Sequence, residues 1–521
     1  MRRTSERFGG IAAAAALLLS LAACGGGTDG GSAGDGTADP NGVLNVGYTI
    51  AAPPMDPHKA PSDVAQFSYS SLVYDRLTRI EPGLKLAPML AESWEFAADG
   101  MAVDFKLRAG VTFSDGAALD AAAVKASLDR AFKDPESTVA PKFTMVDSVE
   151  AVDASTVRIR TNRKAADLPY LLAGTGASII SPKALQNPDL DVKPVGSGPY
   201  VLTDLKLGEA ATFQRRDGYW NPDDAKVETI KIVGLTDDNA RLNALRSGQV
   251  DLIASKLGQA NLTSKLGSGF DFYSYPAGAT YALLLNTGNE PLDDPKVRQA
   301  LNYAVDRPAI NEGLLNGYCA PGVQPLTAGT RGYLKNPAAP YGRDLAKAKR
   351  LLAEAGHPDG FEMDILIGSG LQPQTEITTA LQAQLAEVGV KADIREVDPG
   401  QFATLYSQDD YDSLMTTRLG SATPISTLST NFLNKRYFPG PVPAELTESI
   451  AAASDPTAPE ADVTAALEKF SSVANEQALD VFICDLPTQI AYNDKVVGAK
   501  DMGVAYYTGV LDLRAVSVTK D

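Results

Sequence analysis

The 521-residue chain predicts a mixed α/β protein of two or more lobes, on three observations. Strand-like stretches alternate with amphipathic helix-like ones, without an internal repeat. No long low-complexity segment follows Gly42, so most of the chain has to pack. A chain of this length also exceeds the size at which one hydrophobic core usually stops growing.

The chain opens with Arg2, Arg3 and Arg7, followed by an apolar run from Ile11 to Ala23 broken only by Ser20. A charged head and a short apolar core read as a secretory signal over residues 1–23. As a helix this run would rise only ~20 Å against a ~30 Å hydrocarbon core, too short for a permanent span. Leu21, Ala22, Ala23 and Cys24 resemble the lipobox of bacterial lipoproteins. That resemblance implies cleavage before Cys24 and a lipid on its thiol. Residues 24–42 are mostly Gly, Ala, Ser, Thr and Asp, a flexible tether with an r.m.s. reach of roughly 25 Å. Within it Gly25, Gly27 and Gly30 fit G-x-G-x-x-G, and GGSAG fits G-x-S-x-G, but neither has the strand and helix its chemistry requires.

Further on, Trp94–Phe96 and the alternating Val103–Leu107 flank Asp99-Gly100, which predicts a hairpin. Residues 121–132 place Val124, Leu128, Ala131 and Phe132 on one helical face, with Asp120 as N-cap. Asp294 and Pro295 start a second helix with Val297, Ala300, Leu301, Ala304 and Val305 on its face. A third starts at Asp344, carries Leu345, Ala348, Leu351, Leu352 and Ala355, and stops at Gly356.

Residues 1–23 contain three arginines and one glutamate, so their removal leaves 498 residues and moves the formal charge from −17 to −19. Such acidity argues against nucleic acid or anionic lipid as the main partner. Cys319 and Cys484 are the remaining cysteines. An exported protein meets an oxidising compartment, so they either form a disulfide or sit as two separate buried thiols. His58 and His357 are the only histidines, and neither H-E-x-x-H nor C-x-x-C occurs. Metal, cofactor and histidine-based catalysis are therefore not expected.

The segment LAPMLAESWEFAADGMAVDFKLRAGVTFSDGAALDAAAVKASLDR, residues 86–130, resembles the signature region of family 5 extracellular solute-binding proteins, the dipeptide, oligopeptide and nickel-type receptors of ABC importers. Matches recur in order: GSGPY at Gly196–Tyr200, RRDGYW at Arg215–Trp220, ARLNALRSGQVDL at Ala240–Leu252, DDPKVRQALNYAVDR at Asp293–Arg307 and DLAKAKRLLAEAG at Asp344–Gly356. Most of these residues read as structural. Gly116, Gly198 and Gly248 suit tight turns, Trp94, Tyr200, Tyr219 and Trp220 suit core anchors, and Arg298 and either Asp306 or Arg307 would fix a helix, each by ion pairs with other residues.

The resemblance implies a bilobed, periplasmic-binding-protein-like fold with an extra N-lobe subdomain. Lobe Ia would combine 43–75, 196–285 and 488–521; lobe Ib would be 76–195 and lobe II 286–487. Hinge closure would trap the ligand between lobes Ia and II. Ligand-binding residues carried over from the family are Tyr48, Pro54, Met55, Thr280, Tyr281, Arg418, Gly420 and Ser421. Peptide receptors commonly place a tryptophan and then an aspartate, which pairs with the peptide ammonium, in the last of these loops. Here those positions read Arg418 and Ser421. A neutral serine cannot hold a buried ammonium, which favours an amino-blocked or anionic peptide-like solute, with Arg418 as its fork or as a solvent-facing loop residue.

The expected function is a non-enzymatic, monomeric receptor, lipid-anchored outside the cell membrane, that hands a small solute to ABC permease subunits. A metal-chelate or oligosaccharide receptor is the alternative within the family. An anchored hydrolase is a more distant one, since no nucleophile motif has its context. No P-loop motif occurs, so ATP hydrolysis belongs to another chain.

Overall fold

One sheet runs through the molecule. The computed structural model describes residues 37–60, 63–255, 257–503 and 509–520. The expected signal 1–23, Cys24 and most of the tether lie outside the described residues. Among those described, the sheet has the strand order Lys391–Val397, Glu362–Gly368, Ser413–Arg418, Phe270–Leu285, Asp480–Asn493, Leu252–Ser255, Val43–Tyr48, Thr229–Gly234, Ala210–Arg215, Tyr200–Lys206, and Ala320–Pro321 adds to Asp480–Asn493.

Two antiparallel strands, of 16 and 14 residues, cross from one half of this sheet to the other. Phe270–Leu285 and Asp480–Asn493 pair regularly from Phe270↔Asn493 to Ser274↔Gln489 and then shift register between Ser274/Ala277, Ala277/Ala279 and Tyr281/Ala282. Pro276 and Pro487 lie in this stretch. Neither has a backbone N–H to give the ladder, so bulges form there. Beyond the shifts the ladder continues to Leu284↔Asp480, and Phe270–Leu285 takes Ser413–Arg418 as its other neighbour.

Each half of the sheet has its own core. Leu44, Val46, Ile230, Leu252, Ile490 and Val516 belong to one, and Leu283, Val297, Leu301, Ile365, Leu381 and Ile483 to the other. A separate four-stranded sheet of Ala91–Phe96, Ala102–Leu107, Thr156–Thr161 and Val146–Asp153 packs on the helix Ala121–Lys133 around Phe105, Val124, Leu128 and Ile159. Ile180, Ala184 and Leu190 pack in the core that contains Leu44.

The expected helix caps match the structure. Asp120 accepts from the Ala123 N–H, Asp294 from Lys296 and Asp344 from Lys347, each opening its helix. The reading of the arginines needs correction. Arg298 donates to the carbonyls of Leu292, Asp293, Gln477 and Ala478, and Arg307 to those of Asn302, Gly322, Tyr341 and Phe482. A planar guanidinium with five donors satisfies several buried carbonyls at once, which no carboxylate partner would do. Gly198 is also not a turn residue in the sense expected. A Cβ there would lie 2.5 Å from the carbonyl carbon of Val73, so glycine is required by close backbone approach.

Candidate ligand-binding site

Where the two long strands lose register, a cavity of about 250 Å³ opens, just below the roughly 300–1,000 Å³ usual for small-molecule sites. Four segments enclose it: the hairpin tip Gly83–Leu84, Pro276–Thr280, the loop Pro325–Thr330, and residues of the stretch from Arg418 to Thr427. Its wall is backbone, small apolar groups and the hydroxyl-bearing residues Thr280, Thr327, Thr330, Ser421, Thr423 and Thr427, with Arg418 the one charged residue lining it.

Short-range bonding sets this wall. The Thr327 hydroxyl donates to the Ala277 carbonyl at 2.8 Å and ties the 325–330 loop to the shifted strand. Thr423 caps the helix Pro424–Phe432, and the Ser421 N–H donates to the Thr427 hydroxyl at 2.8 Å. Gly420 lies so close to Gly278 that a Cβ would fall 1.5 Å from the Gly278 carbonyl oxygen.

Thr280, Gly420 and Ser421, expected from the sequence, stand on this wall. Arg418 is there too, but its side chain is neither free for a ligand nor solvent-facing. It is 3% exposed, with Nε and Nη2 bidentate to Asp480 at 2.7 and 2.9 Å and Nη1 on the carbonyls of Asn431 and Tyr437 at 3.1 and 2.6 Å. The guanidinium also lies 5.0 Å over the Phe432 ring. A fork so occupied has no donor pair left for an anionic solute, which removes the sequence argument for one.

Four other expected residues do not line the cavity. Tyr48 and Met55 are fully buried in the core around Leu44, and the Tyr48 hydroxyl donates to the Gly509 carbonyl at 2.5 Å. Burial pushes the Tyr48 phenol up to about 12. Pro54 is exposed, its carbonyl accepting from Gln66 Nε2. Tyr281 follows Thr280 on a strand, so it points to the opposite face and packs in the core with Leu283.

The stretch after Met55 is clamped by charge. Arg130 forks onto Asp56 at 3.0 and 2.6 Å and also donates to His58 Nδ1 at 2.9 Å. An arginine can only donate, so Nδ1 is the acceptor and the ring proton sits on Nε2, 3.0 Å from the Ser178 carbonyl. Burial, with Arg130 adding to it, lowers His58 to about 4. His58 is thus a neutral structural link, and among the described residues no cluster of three His, Cys, Asp or Glu side chains could hold a metal.

Sequence reasoning missed Asp485, the 325–330 loop and the Gly83–Leu84 tip. Cys319 and Cys484 are joined by a disulfide, with their Cα atoms 5.4 Å apart. The next residue, Asp485, pairs in register with Thr280 and is 7% exposed. Its Oδ2 faces the Ala328 N–H at 3.4 Å, and its Oδ1 has no partner. Burial raises this carboxyl to about 7, and the Ala328 and Thr280 contacts offset only part of the rise.

Contacts also tie residues 164–167 to the helix Pro424–Phe432 and to the residues just after the helix Ala444–Ala453. The Ser426 hydroxyl donates to Asp167 at 2.6 Å, the Ala166 N–H to the Ser454 carbonyl at 2.9 Å, and Lys164 pairs with Asp455. Ala422 and Leu84 pack against the apolar cluster of Phe67, Ile80, Ala173 and Val510.

Two sheet halves joined by strands that lose register at a small, hydroxyl-lined cavity define a two-lobed solute-binding protein of the periplasmic type. Residues 85–439 match the middle region of bacterial extracellular solute-binding proteins, family 5. The chain belongs to that family. It is 32% identical over 370 residues to the glutathione-binding protein GsiB of Escherichia coli K12, covering 69% of this chain and 70% of the relative. Among solved structures, the AgaA binding protein of A. tumefaciens R10 in complex with agropinic acid is 27% identical, covers 92% of this chain and 99% of its own, and superposes with a TM-score of 0.77. The ABC transporter-associated DppA of Helicobacter pylori in complex with the peptide STSA shares the fold at 22% identity and a TM-score of 0.78, covering 92% of this chain and 98% of its own.

Proposed function

We propose that this protein is the extracytoplasmic, non-enzymatic receptor of an ABC importer, which encloses a peptide-like solute and delivers it to a permease. The observation that carries this reading is the cavity at the register shift, with wall segments from both sides of the crossover. Affinity comes from enclosure by apolar and hydroxyl groups, with a few polar contacts fixing orientation. The relatives bind glutathione and a tetrapeptide, which supports a peptide-like class. Closure brings 286–487 against the unit formed by 43–75, 196–285 and 488–521, with 76–195 as its extension. A lipid on Cys24 would tether the monomer at the membrane.

The test is mass spectrometry of solute released from protein purified from its own host, paired with calorimetric titration of the solute identified. A peptide or peptide conjugate that binds without turnover is the expected result. A sugar or metal chelate would replace the peptide reading, and hydrolysis of the bound molecule would end the receptor one. Lipid labelling that persists in Cys24→Ser would end the anchor.

A further inference from the structure

Asp485 is a carboxyl group the fold does not neutralise. Among the described residues it forms no ion pair, and its Oδ1 is buried without a hydrogen-bond partner. Native proteins pair buried carboxylates almost without exception, so a missing partner has to be explained. The nearest strands and loops supply no cation. The Thr280 hydroxyl contacts it from Phe270–Leu285, and Ala328 gives only a long backbone contact from the 325–330 loop. Gly322 lies against Oδ1 and has no side chain to offer. The two arginines in this region are spoken for: Arg307 bonds the carbonyls of Gly322 and Phe482, and Arg418 is locked to Asp480. Cys319 and Cys484 are joined and do not titrate.

The position of this group matters as much as its isolation. Thr280 and Ala328, which touch it, both line the cavity, so Asp485 lies directly behind the wall. The lining residues themselves include no acid. We infer that Asp485 is the cation-recognising residue of this receptor, and that the partner missing from the fold is a primary ammonium group carried by the solute. The ammonium enters between Thr280 and the 325–330 loop and takes the place of the long Ala328 contact on Oδ2, while Oδ1 stays against Gly322. This inference rests on the receptor reading above and reverses the solute charge that Arg418 and Ser421 suggested from the sequence.

The sign of the pH effect follows from the raised carboxyl. Below about pH 7 the empty site holds Asp485 protonated, and an ammonium has to expel that proton to bind. Affinity therefore falls about tenfold for each pH unit below 7 and levels off above it.

The experiment uses the full mature chain dialysed free of solute, with three probes: a short-peptide digest of casein, the same digest acetylated on its amines, and spermidine. Retained species are quantified by mass spectrometry for wild type and Asp485→Asn. Wild type is expected to retain free-amine peptides at least tenfold over acetylated ones, and Asp485→Asn to lose that preference. Equal retention of both digests by wild type, or an undiminished preference in Asp485→Asn, overturns the assignment and leaves the peptide receptor standing. Spermidine bound by wild type and not by the variant, with neither digest retained, keeps the ammonium site and ends the peptide reading. Retention of no probe overturns both. Should Asp485→Asn fail to fold, calorimetry of wild type in two buffers of different ionisation enthalpy decides, since binding without proton release at pH 6 overturns the proposal.

Discussion

Arg418 and Asp480 are 3% and 0% exposed at the side chain, and their pairing is bidentate. Removing one member of such a buried pair leaves the other charge uncompensated, which costs about 3–5 kcal/mol. Arg418→Ala should therefore lower unfolding free energy by that amount in urea, with or without solute. A loss under ~1 kcal/mol, accompanied by weakened binding, would show that this guanidinium serves a ligand after all. His58 gives a second expectation. Its unfolded form takes up a proton near pH 6.5, the native ring only near pH 4. The stability that the neutral ring contributes is complete above pH 6.5 and is lost as pH falls toward 4, at about 1.4 kcal/mol per pH unit. Wild type should lose that much relative to His58→Gln between pH 6 and 5 in denaturant titrations, and a constant difference would refute it. Neither role was legible in the sequence. The Arg418 partner stands 62 residues away, and a guanidinium bound to carbonyls leaves no spacing pattern behind.

Elements whose signals are local were readable. The helices after Asp120, Asp294 and Asp344 have caps and apolar faces within a few residues of each other, and the Asp99-Gly100 hairpin has its turn in two. The crossover strands were not readable, because their irregularity arises from mutual pairing: a proline in one strand breaks the ladder of the other. For the same reason the wall loop at 325–330 had no sequence signature beyond small and hydroxyl residues. The approach of Gly420 to Gly278 provides a test at this scale. A methyl group at 420 would strike a backbone carbonyl at 1.5 Å, so Gly420→Ala has to push the 418–423 loop away from the strand. Overpacking of this kind costs about 1–3 kcal/mol. The variant should melt lower and bind solute more weakly, and an unchanged melting temperature and affinity would show the loop to be freely adjustable.

At the scale of the molecule, the order of matches along the chain identified the fold, while the cavity's position depended on how distant segments meet. The contacts from Lys164, Ala166 and Asp167 to Asp455, Ser454 and Ser426 join parts more than 250 residues apart. Under the closure proposed above they hold only when the two sides are together, and so stabilise the closed arrangement. Burial raises the Asp167 carboxyl, which the Ser426 hydroxyl counters only in part. Asp167→Ala should increase the radius of gyration of solute-free protein in X-ray scattering, while saturating solute restores the wild-type value. An identical radius for both proteins without solute would show that other contacts set closure.

The core around Leu44 also has a consequence for synthesis. Its strand Val43–Tyr48 is among the first parts of the described chain to be made, yet that core is completed by Ile490, Leu511, Leu513, Val516 and Val518. The Asp39 N–H even bonds the Val518 carbonyl at 2.7 Å. The core containing Leu283 needs nothing beyond Leu486. Domains usually fold from the N-terminus as they emerge, but here the half made first has to wait for the half made later. A chain that stops a few residues before Val516 therefore lacks part of the core on which Val43–Tyr48 packs.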